Sequence, residues 1–219
     1  MAYTTIDDPT AHFETKLWSG TGSTQSITNM NFQPDFIWWK ERSSTSHHNI
    51  TYAVRGVSKQ IYPNRDNAET SYSGSEISAF NSDGFSIGTS SDTNANGETY
   101  VSWNFKAGTS FSNDASSTGV GSLDSSGSKN TTAGFSIISF TGTESGTPSI
   151  AHGLSSTPEF IISKAREITD NWMAFHGSFS AQDYMIFNTT AAKASASSVW
   201  NSLPSSTVIN MGDNAGVND

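Results

Sequence analysis

The chain has 219 residues, of which 34% are hydrophobic and only 14% charged, with 18 Gly. Most of the polar remainder is Ser, Thr and Asn, which together with Gly disfavour helices and favour turns, so short strands are predicted. The net charge of −9, without a basic cluster, argues against nucleic-acid binding. The lack of an apolar run of about 20 residues argues against membrane insertion. The absence of Cys excludes disulfides and thiolate metal sites.

Strand-like segments recur along the first half of the chain. They lie at 13–18, 35–40, 50–54, 85–87 and 99–105. The last of these alternates strictly, with Val101, Trp103 and Phe105 on one face and more polar residues on the other. Such alternation predicts a half-buried antiparallel strand. The only segment that could be considered helical is 189–199, because it is rich in Ala and Ser.

The two halves of the chain resemble each other. Pro34 corresponds to Pro158, and Gly88 corresponds to Gly212, each at an offset of 124 residues (158 − 34 and 212 − 88). Agreement at separated points predicts an internal repeat. Segment 79–82 (Ala-Phe-Asn-Ser) also matches segment 199–202 (Val-Trp-Asn-Ser).

The predicted organisation follows from the repeat and from a segment rich in Gly, Ser and Thr. It comprises an N-terminal anchoring arm (1–11), a first β-sandwich repeat (12–107), a linker (108–133) and a second repeat (134–219). At the 124-residue offset Asp219 corresponds to Ala95, so the second repeat lacks a counterpart of the predicted strand 99–105. We therefore expect the natural chain to continue past Asp219 or another element to fill the gap.

Several motifs together resemble a repeated domain of structural proteins from tailed phages of marine bacteria and cyanobacteria. These motifs are the segments 13–22 (Phe-x-x-x-Leu-Trp-Ser-Gly-Thr-Gly), 32–42, 54–56, 80–85, 100–108, 132–137, 152–154 and 199–202. The resemblance covers the whole chain. It implies an all-β fold of two tandem antiparallel β-sandwich modules, lectin-like or jelly-roll, the second incomplete at Asp219. It also implies a place on the virion after synthesis in the host cytoplasm, and it supplies no catalytic residues.

The expected function is therefore that of a non-enzymatic virion structural protein, a tail fibre or tail-associated protein involved in host attachment. Its expected partners are other virion proteins, further copies of itself, with a trimer favoured, and a host surface glycan or protein. Residues Tyr3, Ile6, Asp7 and Asp8 belong to the arm predicted to anchor it. The alternatives are a capsid-surface decoration or knob protein, a carbohydrate-binding module and, less favoured, a polysaccharide depolymerase.

Two candidate sites stand out. Asp92, Asn94 and Asn96, followed by Gly97, match the front of an EF-hand loop, which suggests calcium as the one cofactor to consider. The twelfth position holds Trp103 instead of Glu, so a polar hairpin turn is the competing interpretation.

The adjacent pair Trp38 and Trp39 is the candidate ligand-binding site. Successive side chains of a strand point to opposite faces, so only one of the two can enter the core. The other must be covered within the chain, by a protein partner or by a sugar, in that order of preference.

A glycosidase would need two carboxylates facing each other across a cleft. The available acids are Asp35, Glu41, Glu76, Glu98 and Glu159, and none forms the close alternating pattern usual in such folds.

Overall fold

The computed structural model describes residues 6–219. Strands hold 37% of the chain and helices 7%, and the sheets are antiparallel, which confirms the all-β sandwich class. The chain divides into two compact units. Unit 1 takes the described residues up to Tyr62 together with Glu69–Gly108, and unit 2 takes Pro63–Ala68 together with Thr109–Asp219.

Within the described residues, unit 1 contains a short 3-10 helix, nine strands and one helical turn. The elements are the 3-10 helix Pro9–Ala11, β1 (Phe13–Ser19), β2 (Gln25–Ile27), β3 (Phe36–Glu41), β4 (His48–Tyr52), β5 (Lys59–Gln60), β6 (Thr70–Ser71), β7 (Ile77–Asn81), β8 (Gly84–Ile87), α1 (Ser91–Asn94) and β9 (Thr99–Phe105). The main sheet has the order β1-β9-β3-β4, and the second has the order β2-β8-β7.

The core of unit 1 is formed mainly by large side chains of both sheets. Trp39, Tyr100, Phe85, Ile37 and Ile77 have no exposed surface. Trp18 stacks on Tyr100, with ring centroids 5.3 Å apart and planes inclined by 12°. The inner face of β9 is buried although it carries the polar residues Ser102 and Asn104. The more apolar face, with Val101, Trp103 and Phe105, points outward.

Unit 2 contains the remaining nine strands and two helical turns. These are β10 (Thr109–Asn113), α2 (Ala115–Thr118), β11 (Ser125–Asn130), β12 (Phe135–Phe140), β13 (Ser149–Ala151), β14 (Phe160–Ser163), β15 (Met173–His176), β16 (Asp183–Ile186), β17 (Ala194–Ser195), β18 (Val208–Asn210) and α3 (Ala215–Asn218). Its sheets are β10-β11-β12, β13-β18 and β14-β15-β16-β17.

The segment expected to be a linker, 108–133, is instead folded. It contains β10, α2 and β11, and β11 pairs with β12 along its whole length, from Ser125↔Phe140 to Asn130↔Phe135. Asp114 caps α2 by accepting a hydrogen bond from the backbone of Ser117. A segment rich in Ser, Thr and Gly can form either a linker or a strand, and here β11 is a strand because it pairs with β10 on one side and with β12 on the other.

Two further expectations are corrected. Residues 189–199 form no helix and include the short strand β17. Residues 63–68, expected in the first repeat, belong to unit 2, where the carbonyl of Arg65 accepts a hydrogen bond of 2.9 Å from the indole Nε1 of Trp172.

Matching contacts recur in the two units at the predicted offset. The carbonyl of Asp35 accepts a bond from the amide of Ala53, and the carbonyl of Glu159 accepts one from Gly177, both at 2.7 Å. The tandem relationship itself stays a prediction. The contacts do not support the predicted match of segment 79–82 with segment 199–202. Gly88 donates to the carbonyl of Glu76, whereas Gly212 donates to that of Val199, so Val199 corresponds to Glu76 rather than to Ala79.

Candidate functional site

The outer face of the main sheet of unit 1 is lined by aromatic and aliphatic side chains, and we call it the aromatic face. It comprises Phe13 and Leu17 of β1, Phe36 and Trp38 of β3, His48 of β4, and Val101, Trp103 and Phe105 of β9. The strand register places Phe13, Phe105 and Phe36 in one row across three strands and Trp103 beside Trp38 in the next row.

Ring contacts hold these side chains in fixed orientations. The Trp38 and Trp103 rings meet edge to face at 6.0 Å and 71°, and the His48 ring lies nearly parallel to Trp103 at 6.4 Å and 15°. The ring centroid of Phe105 lies 4.7 Å from that of Phe13 and 5.7 Å from that of Phe36. Such edge-to-face and offset arrangements are favourable for aromatic pairs, so contacts within the surface stabilise these ring orientations.

His48 contributes a neutral ring to this surface. The Trp38 indole Nε1 donates a 3.0 Å hydrogen bond to His48 Nδ1, which must therefore be unprotonated. Burial lowers the pKa of His48, and the nearby Lys40 ammonium lowers the pKa further. The Lys40 ammonium itself donates to the carbonyls of Glu41 and Ser44. Side-chain alternation places Lys40 on the same side of β3 as Phe36 and Trp38, so this ammonium, bonded to the two carbonyls, borders the aromatic face.

The face retains exposed apolar area. Leu17 is 62% exposed and Phe13 is 38% exposed, while Trp103 and Val101 are partly buried. Large exposed apolar residues that lie next to one another mark interaction surfaces more often than single ones do. Flat aromatic rings offer stacking surface, which suits a sugar ring or an apolar protein segment.

The structure separates the two tryptophans of the predicted ligand site. Trp38 lies on the aromatic face, whereas Trp39 points inward, has no exposed surface and packs in the core. The prediction that Trp39 binds a ligand is therefore wrong, because the side-chain alternation of β3 places it between the sheets.

The sequence did not single out Trp103, His48 and Phe13 as site residues. Their strands are distant in the chain, and only the strand register brings them together.

The predicted calcium ligand Asn94 is a structural residue. Its Oδ1 accepts hydrogen bonds from the Thr21 amide (2.8 Å) and from Gln25 Nε2 (2.7 Å). Its Nδ2 donates to the carbonyls of Ser23 (2.6 Å) and Gly88 (2.7 Å). These four bonds leave Oδ1 without capacity for a cation, so the predicted role of Asn94 is corrected.

The two neighbouring positions do not form a ligand shell with it. Asp92 and Asn96 are exposed, whereas Asn94 is buried, and Asp92 and Asn94 belong to the helical turn α1 instead of an EF-hand loop. Within residues 6–219, no group of three or more His, Cys, Asp or Glu side chains lies close enough to hold a metal ion.

Three of the five carboxylates considered for glycosidase chemistry have separate local partners. Asp35 accepts bonds from the amides of Ala107 (2.8 Å) and Gly108 (2.6 Å) and so fastens the end of β9 to the start of β3. Glu41 accepts a bond from the Ser46 hydroxyl. Glu76 is buried, and burial raises its pKa although the hydrogen bond from Ser90 opposes the shift.

The structure describes only residues 6–11 of the predicted arm. Tyr3 lies outside the described residues. Asp8 caps the 3-10 helix by accepting a 2.9 Å bond from the Thr10 amide, and Asp7 is exposed. Anchoring by this arm, including Ile6, stays a prediction.

Comparison with known families places the chain without assigning an activity. A family model described as "Domain of unknown function (DUF7483)" matches residues 8–219, so the chain belongs to this family. Searches of curated proteins and of solved structures found no match. None of the helices in the described part of the chain has the length and apolar character needed to cross a membrane.

Proposed function

We propose that this chain is a non-enzymatic structural protein of a phage virion, tail fibre or tail-associated, and that its aromatic face binds a neutral glycan during host attachment. The observation that carries the binding role is the outward position of Trp103 and Phe105, next to Phe13, Phe36 and Trp38. The place on the virion is supported by the motifs that resemble phage structural domains.

The chemistry of the face suits a sugar. Pyranose rings have apolar faces of C–H groups that can lie on an aromatic ring, and the preset ring orientations reduce the entropy lost on binding. His48 and Trp38 already satisfy one another's polar groups. Binding through such a face relies on shape and stacking.

The aromatic face is tested with a glycan array followed by calorimetry on the purified chain. We expect Trp103→Ala to weaken binding of the best glycan by about fivefold, since one stacked ring contributes on the order of 1 kcal/mol. Leu203→Ala is the matched control, because Leu203 is an exposed apolar residue of unit 2. Circular dichroism establishes that both variants are folded.

Two results would count against the binding role. One is the absence of any glycan bound by the wild-type chain, and the other is a glycan whose affinity is unchanged in Trp103→Ala and Phe13→Ala. The location is tested separately by antibody labelling of purified particles. If the protein is absent from the particles, the virion assignment fails whatever the glycan result.

A protein-binding face is the second candidate, and it corresponds to a capsid-surface decoration protein. Leu17 favours it, because this aliphatic side chain is 62% exposed and offers no ring for stacking. Under this alternative, Leu17→Asp abolishes attachment to particles and leaves glycan affinity unchanged.

A further inference from the structure

Strand β1 lies at one edge of the main sheet of unit 1. The order β1-β9-β3-β4 gives it a strand partner on one side only. At one end of the pairing, the Lys106 amide donates to the carbonyl of His12 at 2.9 Å, and at the other end the Gly20 amide donates to the carbonyl of Glu98 at 2.8 Å. Alternate residues of an antiparallel strand direct their backbone groups to the same side. The even-numbered residues of β1 therefore form the hydrogen bonds to β9.

Three odd-numbered residues of β1 direct their amides and carbonyls toward the open edge. They are Phe13, Thr15 and Leu17. No residue within 6–219 forms a hydrogen bond with these backbone groups. The side chains are also exposed, by 62% for Leu17 and by 38% for Phe13. Because an edge strand with free N–H and C=O groups can pair with another chain, this edge can accept a further strand.

The inner side of the same strand carries two opposite charges, two residues apart. Glu14 and Lys16 form an ion pair within β1, and their side chains are 22% and 17% exposed. Lys16 also donates to the carbonyl of Asn29 at 2.6 Å. An incoming strand therefore meets one negative and one positive charge along the edge.

These charges select one register in which β1 can pair with itself. Two copies related by a two-fold axis run antiparallel, and the residues that direct their backbone groups outward must oppose one another. With Thr15 opposite Thr15, Glu14 of each copy lies opposite Lys16 of the other, and Phe13 lies opposite Leu17. Moving the axis by one residue places either Glu14 opposite Glu14 or Lys16 opposite Lys16, and like charges in that position are destabilising.

We propose that β1 is a dimerisation edge, which pairs antiparallel with β1 of a second copy of this chain around Thr15. The opposed Phe13, Thr15 and Leu17 residues exchange backbone hydrogen bonds. The Glu14–Lys16 pairs fall at the positions between them, where opposed side chains are closest. Two-fold symmetry closes the assembly as a dimer, in contrast to the trimer expected from the sequence. This proposal does not depend on glycan binding by the aromatic face.

The first test measures association of the full chain over a range of concentrations. Sedimentation equilibrium should show a reversible monomer–dimer equilibrium with a micromolar dissociation constant, because a short strand pair is a small interface. Hydrogen exchange followed by NMR should slow at the amides of Phe13, Thr15 and Leu17 as the dimer forms. The amides of Glu14 and Lys16 are the internal control, since their bonds to β9 protect them at every concentration.

A proline variant tests the backbone pairing. Thr15→Pro removes the central donor of the interface but no hydrogen bond to β9, and proline is tolerated in an edge strand at such a position. We expect dimerisation to weaken by about tenfold, because both copies lose the bond, while the urea midpoint stays close to that of the wild type. Lys16→Pro is the matched comparison, because it removes a donor to β9 and should destabilise unit 1.

Charge reversal tests the register. Glu14→Lys alone, or Lys16→Glu alone, places like charges opposite one another at both symmetry-related pairs and should weaken the homodimer by about tenfold. An equimolar mixture of these two variants restores opposite charges and should form a heterodimer with an affinity near that of the wild type. Partial unfolding of either variant does not produce such a rescue.

Four results overturn the proposal. They are a chain that stays monomeric, a dissociation constant that Thr15→Pro leaves unchanged, a mixture of charge variants that associates no better than each alone, and a trimer that Thr15→Pro leaves intact. If circular dichroism shows that a variant is unfolded, the wild-type chain decides the question. Exchange at Phe13, Thr15 and Leu17 that is independent of concentration then overturns the proposal.

Discussion

The four hydrogen bonds of Asn94 make it the residue whose replacement should most directly separate a structural role from a metal site. In Asn94→Ala, the Thr21 amide and the carbonyl of Gly88 lose their partner, as do Gln25 and Ser23. Each such bond contributes about 1 kcal/mol net. We therefore expect the free energy of unfolding of unit 1 to fall by about 4 kcal/mol.

The counterpart in unit 2 provides a graded comparison. Asn218 accepts one bond of 2.9 Å and a longer one of 3.3 Å from Thr143, and it donates one of 3.2 Å to the carbonyl of Ser145. The loss in Asn218→Ala should be about half as large, near 2 kcal/mol. Asn96→Ala is the neutral control, because Asn96 is exposed, and its effect should stay within about 0.5 kcal/mol.

The assay is urea denaturation with and without calcium, with hydrogen exchange used to assign each transition to its unit. A loss below about 1 kcal/mol in Asn94→Ala would refute the hydrogen-bond argument. A calcium-dependent rise of the wild-type midpoint that vanishes in Asn94→Ala would restore the metal site.

Three other predictions follow from buried groups and from the folded segment. Because burial raises the pKa of Glu76, its contribution to stability is greatest at a pH below the ordinary carboxyl pKa and declines as the pH rises through the pKa of the folded state. Glu76→Gln should therefore flatten the dependence of the free energy of unfolding on pH, measured from pH 4 to 8. Trp39→Ala should cost about 3–5 kcal/mol in urea denaturation, whereas Trp39→Phe should cost less, because Nε1 is buried without a hydrogen-bond partner among the described residues. In limited proteolysis, trypsin should cut after Lys193, in an irregular exposed segment, before it cuts after Lys129 in β11, and the reverse order would support a flexible linker.

The sequence predicted elements well where the alternation was strong. The segment 99–105 was predicted as a strand and is one, because β-branched and aromatic residues alternate there with small polar ones. The strand predicted at 35–40 is observed at Phe36–Glu41, so both of its ends lie one residue later in the chain. The sequence predicts that Trp38 and Trp39 point to opposite faces of their strand, but it does not tell which of the two points inward. The neighbouring strands decide this, because they place Trp39 beside buried Ser102 and Asn49.

Prediction from the sequence was wrong where a polar segment is compatible with both a strand and a linker. The segment 108–133 contains few apolar residues, so no hydrophobic pattern distinguished a strand from a linker. Its strand β11 is defined by partners on both sides, β10 and β12, and the second lies across a turn whose Gly134 has a φ of 68°. Pairing between segments is not visible in composition.

The orientation of β9 connects the fold with the proposed binding role. Burial of apolar area would favour Trp103 and Phe105 inside, yet the strand buries Ser102 and Asn104 and turns both rings outward. The buried polar pair is partly satisfied locally, because Asn104 Nδ2 donates to the Ser102 hydroxyl at 2.9 Å and to the carbonyl of Glu14 at 2.9 Å. A sequence that departs from the local rule in this way usually does so at a functional surface. If stability alone governed β9, exchanging the residue types of its two faces would raise the free energy of unfolding. If the outward rings serve binding, this variant loses attachment even when it retains the fold.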